Sequence, residues 1–295
     1  MECTLCPRSC GIDRKLRTGF CGQREEMRCA RVALHFGEEP CISGVRGSGT
    51  VFFSGCTLRC VFCQNYDISS GPVGWAITPE ALASRLIDLQ NAGAHNLNFV
   101  TPTQFLPGVE KAVSSAGSSL SLPRFANCGG YERIETLVRY ADLFQGYMPD
   151  LKFCDSDLSS RYLHATDYFA VATRAICQMR VQAGPPVFDK DGMLRSGVLI
   201  RHLVMPGCVK DSLRIIRWLG TTFGPEDVVV SLMSQYLPMG RAADFPEIDR
   251  RLTSYEYEKA EDALREYDFK TCYVQSRGSA TRSFVPLWNG EGVIQ

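Results

Sequence analysis

Three cysteines in the segment GCTLRCVFCQN stand at the spacing C-x3-C-x2-C: Cys56, Cys60 and Cys63. A [4Fe-4S] cube takes one ligand per iron, normally a thiolate. Three local thiolates therefore leave one iron open, in the way that catalytic metal sites keep a free position. The competing chemistry for the same three is a zinc site completed by a fourth residue elsewhere. A second set, Cys3, Cys6, Cys10 and Cys21, reads C-x2-C-x3-C-x10-C. Four thiolates saturate either Zn2+ or a second iron-sulfur cluster, and a closed site of this kind is structural or electron-transferring. Pro7, Arg8 and Gly22 supply the turn chemistry of a zinc knuckle, but spacing does not separate the two metals.

The rest of the composition agrees with metal or redox chemistry. Of 14 cysteines, nine fall within the first 63 residues. The start MECTLCPRSCG lacks the apolar region of a secretion signal, so a disulfide framework is not the expected use of these thiols. Cys128, Cys154, Cys177, Cys208 and Cys272 are scattered and read as small core side chains. Cys29 and Cys41 have no assignment. The 295 residues, 45% of them apolar, suffice for one large core. Lys and Arg number 32, as do Asp and Glu, which argues against nucleic acid as a partner. No apolar run approaches the ~18 residues of a membrane span, and the expected location is the cytoplasm.

These cysteines need elements to position them. Residues 1–48 are rich in Cys, Gly and Arg with little periodicity, as suits a small segment stabilised by a metal. Beyond them strand-like and helix-like runs alternate. GTVFFS (49–54), NLNFV (96–100), PRFA (123–126), LFQGYMPDLK (143–152), VLIRHLV (198–204) and VVVSL (228–232) are the strand candidates. Helices are expected over 79–92 behind a Thr78 cap, over 131–141, 155–164 and 212–219, and over 255–267 with Tyr257, Ala260, Ala263, Leu264 and Tyr267 buried. Six strands separated by helices imply parallel pairing with right-handed crossovers, as a partial barrel or an open doubly wound sheet. Reactive loops then lie at the carboxyl ends of the strands. Asp150 and Lys152, two residues apart at the end of the fourth strand, share a face and point inward. A buried charged pair is costly unless it serves a charged ligand or partner, which marks both as catalytic candidates.

The cluster motif resembles that of the radical S-adenosylmethionine superfamily. More widely, CTLCPRSCGIDR, EEPCISGVRGSGTVFFSGCTLRCVFCQN, NFVTPTQFLP, PDLKF, RHLVMPG and LMSQYLP are similar to a branch of pyruvate formate-lyase activating enzyme relatives with a cysteine-rich N-terminus. The resemblance implies an α/β fold, a (β/α)6 partial TIM barrel over 49–240, with the small metal-stabilised segment 1–48 before it and an extension over 241–295. It implies a [4Fe-4S] cluster on Cys56, Cys60 and Cys63, whose open iron takes the amino and carboxylate groups of S-adenosylmethionine. Reductive cleavage then yields a 5′-deoxyadenosyl radical that abstracts hydrogen. Phe62 matches the aromatic position beside the adenine. Thr101 and Thr103 stand where relatives receive the methionyl amine. Asn127 and Asp150 match positions near a monovalent cation, Arg201 matches the arginine that meets the cofactor carboxylate, and Gln235 falls where the ribose and adenine are contacted.

An electron donor such as flavodoxin or ferredoxin is implied as a partner. For the substrate, the resemblance points to a glycine of a partner protein that becomes a radical. Modification of a small molecule, peptide or RNA by the same radical is the second reading, and a non-catalytic electron-transfer module the third.

Overall fold

The computed structural model describes residues 2–281 and 285–294. The ten strands among them are β1 (Arg28–His35), β2 (Ser48–Phe53), β3 (Trp75–Ala76), β4 (Leu97–Val100), β5 (Arg124–Cys128), β6 (Gly146–Pro149), β7 (Val187–Phe188), β8 (Leu194–Leu203), β9 (Val229–Met233) and β10 (Cys272–Val274). One mixed α/β sheet runs in the order β10-β9-β8-β6-β5-β4-β2-β1-β3, with β7 paired to β8. From β2 through β4, β5, β6, β8 and β9 to β10 every neighbouring pair is parallel, whereas β1 joins β2, and β3 joins β1, antiparallel. Each of the six expected strands is present. Every residue of β2, β4, β6 and β9 is buried, as parallel strands covered on both faces require.

Helices cover the crossovers. Thr78 accepts the Ala81 N–H and Pro79 opens the helix Pro79–Asn91, which satisfies one orphan donor at a position where proline loses none. The helices Leu106–Ala116, Ile134–Arg139 and Ser156–Leu163 follow. The helix Tyr168–Ala183 is an element that the apolar spacing left unmarked; it buries Tyr168, Ala172, Ala175, Ile176 and Met179 in a stripe made inconspicuous by its alanines. Val209–Thr222 packs against Ser254–Arg265, whose Thr253 and Glu256 form a reciprocal capping box. No helix among the described residues is long and apolar enough to cross a membrane.

Residues 28–48, grouped with the cysteine-rich segment by composition, supply β1 and a short helix, Pro40–Ser43. Cys41 and Ile42 of that helix pack with Phe125, Met148, Leu199 and Val229, side chains of four parallel strands. The segment leading into this helix therefore reaches the charged residues on the strands. Near the C-terminus, Gly290 donates to the Ala30 carbonyl and Val32 to that of Glu291, fastening the tail along β1.

Candidate active site

A cavity of about 200 Å³ lies at the carboxyl ends of the parallel strands. Cys56, Cys60, Phe62 and Cys63 line it from the loop after β2. Thr101 follows β4, Asn127 is the last residue but one of β5, Asp150 and Lys152 follow β6, Arg201 lies near the end of β8, and Gln235 follows β9. Ten of the expected site residues thus share one space. Thr103 does not line it: its hydroxyl donates to Glu132 Oε2 at 2.8 Å, beside a separate small void. The turn after β4 carries Thr101 and Thr103 to different sides of the strand end, so the two hydroxyls do not converge on one ligand.

The cysteine loop is held from several directions. Gln104, buried, donates from Nε2 to the carbonyls of Ser54 and Gly55, both at 3.1 Å. The Leu58 N–H points at Cys56 Sγ, 3.4 Å away. A side chain at Gly129, just after β5, would lie 2.6 Å from Leu58 Cδ1, so Leu58 would have to shift to admit it. Phe62 is buried among Phe153, Tyr162 and Tyr236, with ring centroids 5.9, 6.4 and 6.2 Å away. Its ring anchors the loop and also borders the cavity. All three thiols are free of disulfides. Burial raises the Cys60 and Cys63 thiols above the usual range, while the Lys152 ammonium pulls both down. A negatively charged group bound to these sulfurs would meet the same ammonium.

Opposite the loop stands a partly buried charge network. Lys152 Nζ lies 2.6 Å from Asp150 Oδ2, and Arg201 Nε 2.9 Å from Asp150 Oδ1. Arg201 Nη1 donates to Glu38 Oε2 at 3.0 Å, and Nη2 to Asn127 Oδ1. Each guanidinium nitrogen is thereby engaged by a protein acceptor, in the fork geometry that suits arginine to carboxylates. Burial pushes Asp150 upward, but Arg201 and Lys152 more than reverse that push and hold its carboxyl below the ordinary value. For Glu38 burial wins over Arg201, and its carboxyl is raised. Asn98 and Asn127 each donate to Glu38 Oε1 at 3.1 Å. Sequence reasoning missed Glu38. An acidic pair before a proline carries no spacing signal, and only the tertiary path of the segment after β1 brings it here.

Other groups have structural posts. Thr101 has φ +52°, rare for a β-branched residue, and its hydroxyl donates to the Gly55 carbonyl at 3.4 Å. Gln235 Nε2 faces Gln64 Oε1 at 3.5 Å, and its Oε1 accepts from Gln275 at 2.8 Å. His202, on the opposite face of β8 from Arg201, is buried between the Leu151 carbonyl and Ser212 Oγ. Cys29 and Cys41 are buried in the core.

Cys3, Cys6, Cys10 and Cys21 gather at a separate place, clear of the cavity lining. A side chain at Gly19 would lie 3.5 Å from Cys21 Sγ and 3.6 Å from Cys10 Sγ. Among the described residues no three His, Cys, Asp or Glu side chains converge tightly enough for one metal ion.

No protein-family model matches the chain. An uncharacterized protein of Methanocaldococcus jannaschii is 29% identical over 284 residues, which cover 92% of this chain and 77% of that one. Among solved structures, methylornithine synthase (PylB) aligns with a TM-score of 0.52 at 16% identity, over 80% of this chain and 63% of that one. SuiB from Streptococcus suis, bound to S-adenosylmethionine, aligns with a TM-score of 0.52 at 9% identity, over 75% and 48%. This chain shares their fold. It spans less than two thirds of the length of either solved protein, and at these identities the likeness is one of architecture.

Proposed function

We propose that the chain is a radical S-adenosylmethionine enzyme on a (β/α)6 partial barrel, with a [4Fe-4S] cluster on Cys56, Cys60 and Cys63. One observation carries this reading. The three free thiols of the C-x3-C-x2-C loop border a cavity at the carboxyl ends of parallel strands, where ligands bind in such sheets, and a partly buried ion network faces them. SuiB, of the same fold, is known with S-adenosylmethionine bound. When bound, the cluster and S-adenosylmethionine supply one-electron reductive cleavage to a 5′-deoxyadenosyl radical.

The chain's own residues set the stage for that chemistry. Lys152 offsets negative charge at Cys60. Asp150 fixes both Lys152 and Arg201, and Arg201 in turn orients Glu38 and Asn127 toward the cavity. Buried Phe62 keeps the loop from shifting and helps exclude water. The resemblance to activating enzymes supports a partner-protein glycine as hydrogen source and a flavodoxin- or ferredoxin-type donor of electrons. Chemistry that depends on reduced thiols supports a cytoplasmic location.

Anaerobically reconstituted protein, reduced with titanium(III) citrate and given S-adenosylmethionine, should form 5′-deoxyadenosine detectable by mass spectrometry. The variant Cys60→Ala should form none and lose the cluster. Product from Cys60→Ala, or none from the parent with its full iron content, would sink the reading. Deuterium passing from a labelled partner glycine into 5′-deoxyadenosine tests the substrate separately.

A further inference from the structure

The segment that carries the four N-terminal cysteines packs against the loop that carries Cys56, Cys60 and Cys63. Gly55, the residue before Cys56, has φ +79°, and a side chain there would lie 2.4 Å from the Cys21 carbonyl oxygen. Arg8, two residues beyond Cys6, donates from Nε to the Thr57 carbonyl at 2.9 Å. Its guanidinium lies 3.9 Å from the Phe20 ring centroid. Arg59, between Cys56 and Cys60, donates back to the Phe20 carbonyl at 3.4 Å. Three contacts thus join the two cysteine segments. Standard bond lengths along the Cys21–Gly55–Cys56 path limit the Cys21 and Cys56 sulfurs to a separation of about 16 Å or less. Electrons pass between protein-bound redox centres over separations of this order.

The sulfurs of the two sites are also dressed alike. The Phe20 N–H points at Cys10 Sγ at 3.4 Å, as the Leu58 N–H points at Cys56 Sγ at the same distance. Hydrogen bonds to cluster sulfurs are one means by which a protein sets reduction potential. Cys6 and Cys21 are buried, while Cys3 and Cys10 are partly exposed, so the group spans from solvent to the loop. The four cysteines do not line the cavity, and their segment meets the loop at Gly55, Thr57 and Arg59. A structural zinc stabilises its segment wherever that segment lies, but a relay works only close to its acceptor.

We propose that Cys3, Cys6, Cys10 and Cys21 hold a second iron-sulfur cluster, which accepts electrons from a carrier protein and passes them to the cluster on Cys56, Cys60 and Cys63. The inference rests on the radical reading above. For each turnover the carrier is oxidised by one electron and the inner cluster reduced by one. No bond at the four cysteines forms or breaks, and no proton moves.

The test compares reconstituted parent protein with the double variant Cys6→Ser/Cys10→Ser and with Cys60→Ala. The parent should contain roughly eight irons, no stoichiometric zinc, and two paramagnetic signals after reduction, only one of which changes with S-adenosylmethionine. Each variant should contain roughly four irons. In stopped flow, flavodoxin hydroquinone should reduce the remaining cluster of the double variant at least tenfold more slowly than the inner cluster of the parent. Titanium(III) citrate, small enough to reach either site, should reduce both at similar rates. Stoichiometric zinc with roughly four irons in the parent overturns the proposal, and that result does not depend on any variant folding. An unchanged flavodoxin rate in the double variant also overturns it. Roughly eight irons but neither a signal that responds to S-adenosylmethionine nor any 5′-deoxyadenosine would instead overturn the radical reading alone.

Discussion

The two cysteine sites are built on opposite principles. Cys56, Cys60 and Cys63 sit on a loop that leaves β2, a strand buried along its whole length, and the loop is clamped by Gln104, Leu58 and Phe62. Cys3, Cys6, Cys10 and Cys21 lie on a segment almost without regular secondary structure, docked on the main body through Leu5, Arg8 and Arg14. Their segment closes through an isolated Glu2–Asp13 bridge and a few turn hydrogen bonds, such as Cys3 N–H to the Ile12 carbonyl and Ser9 N–H to that of Cys6. In the first site the fold places the ligands; in the second the ligands must help to make the fold. A three-ligand site can afford to wait for an outside group because the sheet holds it open. On the reading proposed above, a four-ligand site on a segment with so little regular structure would draw much of its order from the metal.

Metal removal should separate the two most sharply. Chelation under reducing conditions should unfold the first 27 residues locally, since the binding energy of a structural metal, on the order of 10 kcal/mol for small zinc domains, is also folding energy. Strands β4 to β9 should keep their amide protection. Hydrogen exchange read by mass spectrometry checks this, and full protection of residues 2–27 in the metal-free protein would erase the contrast.

Asp150→Asn acts on the three-cysteine site alone. It leaves Arg201 and Lys152 without their shared carboxylate partner; breaking a fully buried pair costs about 3–5 kcal/mol, which is an upper bound here because all three side chains are only partly buried. Urea unfolding should register that loss while the metal content of the four-cysteine segment stays at the parent value. A loss below about 1 kcal/mol would mean that Glu38 and water take up the stranded cations.

Glu132 touches both regions: its carboxyl is hydrogen-bonded to Thr103 and Cys128, and its charge is felt at Cys6. Burial raises it from 4.5 to about 7, against the pull of those two hydrogen bonds. Between these values the folded chain holds a proton that the unfolded chain has released. Its contribution is therefore fully present below pH 4.5 and lost as the pH rises through about 7. Glu132→Gln, which never ionises, should remove that slope, worth at most about 3 kcal/mol. Denaturation of parent and variant at about pH 5 and about pH 8 measures it, and parallel slopes would refute the assignment.

How much of this was legible beforehand depends on whether the information was local. The C-x3-C-x2-C loop, the Thr78 cap and the six strands are written in neighbouring residues, and the structure contains them. Asp150 and Lys152 were readable from the period of two, and their ion pair lies where that period puts it. Glu38 was not, because its place depends on the chain folding back after β1 to seat Cys41 and Ile42 among four strands. Nor was the occupancy of the Arg201 fork, since Glu38, Asn127 and Asp150 come from distant segments. Thr101 and Thr103 read as a pair, but a turn with positive φ at the first of them sends the second elsewhere.

The smallest change tests whether the two sites are mechanically joined. Gly55 combines a left-handed backbone with a carbonyl oxygen where its side chain would be, so Gly55→Ala meets two obstacles. The backbone alone costs about 1–2 kcal/mol. The contact cannot be relieved by a rotamer, because the obstructing atom is the main chain of Cys21, so the N-terminal segment must lift away from the loop. If that contact couples the sites, the variant should retain the parent's metal content but show faster amide exchange in residues 19–23 together with 56–60. Faster exchange at 56–60 with residues 19–23 unchanged would show a strained loop and an independent segment, and the pairing of the two sites would then be proximity without coupling.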